Sequence, residues 1–117
     1  MIEEKYEVME SVYKYINNLK KGLKDVSNMI QSGNEIQGIK KFIPSLDGIE
    51  YIIKVAELTK DIQKDHIDIN KLNDLLKEII DSFENEDYVL LGDLINYELI
   101  PIINDIQISF RRSLDNR

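Results

Sequence analysis

The chain has 117 residues, no cysteine, and 15 Lys plus Arg against 22 Asp plus Glu, a formal net charge of −7. This length supports one hydrophobic core in a single domain, 1–117, and the lack of cysteine excludes disulfides, thiolate metal sites and cysteine nucleophiles. The negative charge argues against nucleic acid or an anionic membrane surface as partner; no run reaches the roughly 20 apolar residues of a membrane helix, and the acidic start MIEEKYEVME does not read as a signal peptide, so a cytoplasmic location is expected.

Met9, Val12, Ile16, Leu19, Leu23, Val26 and Ile30 recur in steps of three and four and predict a first helix from Ile2 to Gln31. Glu3, Glu4, Glu7 and Glu10 at its start and Lys20, Lys21 and Lys24 toward its end complement the helix dipole. Ser32 and Gly33 stop it, and Asn34 is placed to cap a second helix with Ile36, Ile39, Ile43, Leu46, Ile49, Ile53 and Ala56 inward. Pro44 interrupts this pattern, but the periodicity crosses it in phase; one kinked helix is expected, the alternative being a restart capped by Ser45.

Thr59 to Ile69 loses the helical period, so Ile62, Ile67 and Ile69 belong to a connection laid over the core. Asn70 is the expected cap of a short third helix with Leu72, Leu75, Leu76, Ile79, Ile80 and Phe83 inward, and Glu84 to Glu86 form the next turn. The last helix is the most apolar. Tyr88, Leu91, Ile95, Leu99, Ile102, Ile106 and Phe110 form its dry stripe, Asp93, Asn96, Tyr97, Asn104, Gln107 and Arg111 its wet face, and Pro101 is expected to bend it without ending it. The fold class is therefore all-α: an up-down-up-down antiparallel four-helix bundle with helices two and four kinked. Gly22, Gly48 and Gly92 fall inside helices, which suggests close helix crossings.

Chemistry is sparse. Lys20, Lys24, Lys40 and Lys41 raise the question of an anion site, but no glycine-rich loop or aromatic interleaving accompanies them. Their plainer reading is weak surface pairing with Glu78, Asp81, Glu84, Glu86 and Asp87. Glu3, Glu4 and Glu7 spell EExxE, part of the pattern of all-helical nucleotide pyrophosphohydrolases, yet the only ExxD, Glu78 to Asp81, lies on a distant helix. No Glu-x-x-His repeat suggests a di-iron bundle, His66 is a lone loop histidine, and no serine has a nucleophile-elbow context. No catalytic residue, metal ligand or cofactor is expected. Two sites are proposed at this level. An apolar groove near Tyr6, Met9, Tyr13, Phe110 and Leu114 would follow from the shortness of the third helix, and Glu98, at the flank of the dry stripe, would be a desolvated anchor to a neighbouring helix.

Asn85 to Pro101 resembles the closing segment of a family of small uncharacterised helical proteins from low-GC Gram-positive bacteria, on Asp87, Tyr88, Asp93, Tyr97, Glu98, Leu99 and Pro101, with a weaker match at Asp47, Gly48 and Ile49. That resemblance implies no established activity. In size and helix count the chain is also similar to flagellar export chaperones. The expected function is non-enzymatic binding of a protein partner or of itself, as adaptor, chaperone or regulatory module. The alternatives are a metal-dependent nucleotide hydrolase using helix carboxylates and the helical component of a toxin-antitoxin pair.

Overall fold

A computed structural model describes residues 1–117 and contains helices and turns only. Helix α1 runs Ile2–Gln31, and all seven residues of its predicted stripe are buried. At 1.5 Å per residue it spans about 45 Å, the full long axis of a body measuring 46 × 23 × 19 Å. Gly33, at φ 93°, ends it: the Asn34 N–H reaches back to the Met29 carbonyl at 2.8 Å, a closure that needs a left-handed residue. Helix α2 follows at once as Glu35–Leu58. Asn34 holds the N-cap position as expected, although its side chain caps nothing.

α2 passes Pro44 unbroken. Pro44 and Lys40 are both exposed, so the Lys40 carbonyl that loses its helical partner is on the solvent side of the helix. A 3-10 turn, Lys60–Ile62, opens the connection, and Ile62, Ile67 and Ile69 pack against the core, as the loss of period implied. Helix α3 spans Ile69–Glu84 and starts earlier than expected, because Asp68 and not Asn70 is the cap: its Oδ1 accepts the Lys71 N–H at 3.3 Å. The turn into the last helix repeats the end of α1, with the Asp87 N–H on the Ser82 carbonyl at 2.9 Å, but here Glu86 takes the left-handed conformation, at φ 54°.

The last helix, α4, is continuous through three segments: Tyr88–Leu94, a π-helical turn Ile95–Leu99, and Ile100–Asp115. In the π turn the Ile100 N–H bonds the Ile95 carbonyl, five residues back. Its cause is legible in the spacing. Leu91, Ile95, Leu99 and Ile103 are all buried, and four-residue steps in a regular α-helix drift about 40° each; one wider turn absorbs the drift and keeps all four on the core. Downstream the phase is shifted, so Ile103 is buried in place of the expected Ile102, which stays half-exposed. Pro101 follows directly, exposed, and the helix continues through it.

The helices alternate in direction as an up-down-up-down bundle. α1 is the hub, lying against both α2 and α4, while α3 lies against the first half of α4 and hardly touches α2. Twenty-two buried apolar residues form one cluster along the axis. Two of the predicted close crossings exist: a methyl on Gly48 would land on the Tyr15 hydroxyl, and one on Gly92 would come 3.1 Å from the Gln31 Cγ. Gly22 is the exception, with open space around it.

Candidate functional site

The groove expected at the start of α1 and the finish of α4 is closed. Met9 and Phe110 are fully buried, and Tyr6, Tyr13 and Leu114 are half-buried. The connection between α2 and α3 seals this end because polar ties hold it to three helices. Lys5 of α1 donates to Asp61 at 2.8 Å, Gln63 to the Thr59 hydroxyl at 3.1 Å, the Lys64 N–H to the Ser113 hydroxyl at 2.9 Å, and Arg112 pairs with Asp65 at 3.3 Å. The Lys5 hydrogen bond holds the Asp61 carboxyl below its ordinary value of 3.8, although the group is exposed. Ile62 and Ile67 complete the seal.

Two clefts flank the beginning of α3 where it stands away from its neighbours, and His66, Ile67 and Asp68 line both. The first, about 320 Å³, continues to Lys71, Ile102, Asp105, Ile106, Ile108, Ser109 and Arg112; the second, about 350 Å³, continues to Glu57 of α2, Lys60 of the 3-10 turn and Asn73 of α3. The Ser109 hydroxyl beside the first cleft is buried without a hydrogen-bond partner. His66 is exposed, in keeping with a solvated loop residue. No three His, Asp or Glu side chains come together as a metal set. Glu3, Glu4 and Glu7 are exposed at the start of α1, while Glu78 and Asp81 are exposed in the second half of α3, toward the other end.

Glu98 is not an anchor: it is exposed and no partner reaches it. The π turn rotates it off the flank where a regular helix would hold it. The buried tie is Gln107, expected on the wet face but only 7 % exposed. Its Nε2 donates to the Tyr13 carbonyl at 3.1 Å and to Asn17 Oδ1 at 2.9 Å, both on α1. A neutral amide loses less than a carboxylate on leaving water, so it is the group that fits this position. It closes a polar ladder along the α1–α4 contact, in which Gln31 donates to Asp93 at 3.2 Å, Lys24 to Asn96 at 2.7 Å and Lys20 to Asn104 at 2.8 Å.

That ladder also disperses the lysines. Lys20 and Lys24 lean on α4, Lys41 pairs with Asp25 on the α2 side at 3.2 Å, and Lys40 points outward alone, so the four form no single anion site. None pairs with the acids of α3 as expected. Glu78, Asp81, Glu84 and Glu86 take part in no ion pair. Tyr15 stacks edge-on with Tyr51, ring centres 6.5 Å apart, and finishes the edge of the core over Gly48.

Exposed apolar surface is also found on α2 and α3. The side of α2 that approaches α1 is marked by Gly48 under Tyr15 and by Gly38, where a methyl would lie 2.7 Å from Ile30. Small residues there let the backbones approach, and Phe42, Ile49, Ile52 and Ala56 fill the core beside them. The isoleucine row that the wheel placed inward is thereby turned partly off the core. Ile39, Leu46 and Ile53 are half-buried, and Ile36 and Ile43 are 68 % and 55 % exposed. α3 mirrors this: Leu72, Leu75 and Ile79 are buried, while Leu76 is half-buried and Ile80 and Phe83 are 44 % and 43 % exposed. The two helices hardly touch, which leaves an open seam between them, and these side chains are the apolar surface that stays exposed on the two helices. Sequence reasoning counted them as core, and the signal it lacked was the pair of glycines that fix which face of α2 meets α1.

No helix is long and apolar enough to cross a membrane. No curated protein and no solved structure matches the chain. A family model described as a domain of unknown function matches residues 7–109, most of its length, and the chain therefore belongs to the DUF8042 family.

Proposed function

We propose that this protein is a non-enzymatic docking module, an adaptor, chaperone or regulatory component that binds a segment of another protein in the α2–α3 seam. The observation that carries this reading is the seam itself. α2 and α3 each bury one apolar row and leave a second row short of contacts, with Ile43 and Phe83 roughly half in water. Facing apolar banks on adjacent helices are the geometry into which a partner's helix inserts. The ladder between α1 and α4 leaves no room there.

The test is site-specific photo-crosslinking in the native cell, with a photoreactive residue at Ile80 on one bank, at Ile43 on the other, and at Val89, exposed outside the seam, as control. A discrete adduct from both banks and none from Val89 is expected. Equal labelling at all three positions, or no adduct from the banks, contradicts the reading.

A further inference from the structure

We infer that the cleft between the start of α3 and the second half of α4 is a binding site for a small zwitterion with an apolar body, an apolar α-amino acid. The site is separate from the α2–α3 seam and does not depend on docking there. The first argument is shape. The cleft holds about 320 Å³, at the lower end of the roughly 300–1,000 Å³ usual for small-molecule sites. Ile67 of the sealing loop and Ile102, Ile106 and Ile108 of α4 give it an apolar wall. The loop side of that wall is held in place, because the Lys64 N–H on Ser113 and the Arg112–Asp65 pair tie the loop to α4.

The second argument is charge. Arg112 and Asp65 neutralise each other at 3.3 Å, and Asp68 is engaged as the cap of α3. Lys71 and Asp105 remain, one charge of each sign on the rim of the same cleft. They pair neither with each other nor with any other side chain. A ligand that is only an anion answers Lys71 and is opposed by Asp105; one that is only a cation meets the reverse. A zwitterion answers both.

The third argument is an unspent hydrogen-bonding group in the wall. Ser11, Ser27, Ser82 and Ser113 each donate to a carbonyl three or four residues back in their own helix, the ordinary outlet for a helical serine. The Ser109 hydroxyl makes no such bond and is buried without a partner. A buried hydroxyl left in that state is unfavourable, and rotation about χ1 lets it meet the carboxylate of a ligand seated in the cleft.

The experiment titrates the isotope-labelled full chain with L-leucine and with L-phenylalanine and follows the backbone amide shifts. Isocaproate and hydrocinnamate keep the side chain and the carboxylate without the amine; isoamylamine and phenethylamine keep the amine without the carboxylate. Lys71→Met and Asp105→Asn each remove one rim charge, and Lys40→Met removes an exposed charge of α2 outside the cleft; the amide spectrum of each variant shows that it is folded. At least one amino acid should give saturable shifts centred on residues 67–71 and 102–112 and bind at least about tenfold more tightly than both of its analogues. Lys71→Met should lower its affinity to about that of the amine, Asp105→Asn to about that of the carboxylate, and Lys40→Met should leave it unchanged. If the carboxylate binds as tightly as the amino acid, the cleft is a plain anion site, and if the amine does, a cation site; either result overturns the zwitterion. If neither amino acid gives saturable shifts, if the shifts centre elsewhere, or if both rim variants bind as wild type does, the cleft is not an amino-acid site.

Discussion

The two lateral contacts of the bundle are built on opposite principles. Where α1 meets α4, Gly92 lets the helices close, and a ladder from Gln31–Asp93 to Asn17–Gln107 lies alongside the core. Where α2 faces α3, there is no close crossing and apolar side chains on both banks reach water. Apolar content does not distinguish them, since the α2–α3 side is rich in isoleucine. What differs is whether small residues allow approach and whether polar groups along the contact are paired. An apolar row that lacks both remains available to something else.

The sharpest contrast is in truncation. Ile16→Ala or Leu99→Ala, at fully buried positions, should cost about 2–5 kcal/mol in urea unfolding. Ile43→Ala and Ile80→Ala remove the same kind of side chain from the seam and should cost less than about 1 kcal/mol. Equal losses at all four positions would mean that the seam is core.

Glycines separate closed contact from open surface at smaller scale. Gly48→Ala drives a methyl into Tyr15 and should destabilise by about 1–3 kcal/mol, with Tyr15→Phe recovering part of the loss. Gly22→Ala meets nothing within 4 Å and should stabilise by about 0.5–1 kcal/mol, the helix-propensity gain alone. A stabilising Gly48→Ala would show that the α1–α2 crossing is looser than described.

Polar ties rank next. Gln107→Ala should cost about 1–2 kcal/mol through its two lost hydrogen bonds, while Glu98→Ala, exposed and unpaired, should stay within about 0.5 kcal/mol of wild type. The reverse order would restore Glu98 as the anchor. The smallest effect is at the tie of the sealing loop. Because the folded-state pKa of Asp61 lies below the ordinary 3.8, the Lys5–Asp61 pair contributes stability above 3.8 and loses it as pH falls through the folded value. Wild type should therefore exceed Asp61→Asn only slightly at neutral pH, and the two should converge in acid. A gap that widens on acidification would give the shift the opposite sign.

Much of the fold was legible in the sequence because α1 states its period without a miss and Gly33 and the Glu84–Glu86 turn mark the reversals. Ile62, Ile67 and Ile69 announced a packed loop by losing that period. Two features were not legible, for physical reasons. A wheel drawn at 100° per residue cannot contain the π turn at Ile95–Leu99, so several assignments in and after it were misplaced, Glu98 dry, Ile102 for Ile103 and Gln107 wet, although Ile106 and Phe110 are buried as expected. Hydrophobicity also gives glycine no weight, yet Gly38 and Gly48 choose the face of α2 that meets α1 and so turn Ile36 and Ile43 out. The candidate groove was placed at the wrong end for a related reason. A short α3 leaves space, but the Thr59 to Ile69 loop carries enough apolar and polar ties to fill it, and the space that remains open is lateral.

The most direct measurement is solvent paramagnetic relaxation of the isoleucine δ1 methyl groups in the free protein, with a neutral soluble gadolinium chelate as probe. Ile36, Ile43 and Ile80 should relax strongly as the probe concentration rises, while Ile16, Ile95 and Ile103, all fully buried, should stay almost unaffected. If Ile43 and Ile80 are protected to the same degree as Ile16, α2 and α3 close on each other or on a second copy, and no seam is open for a foreign helix.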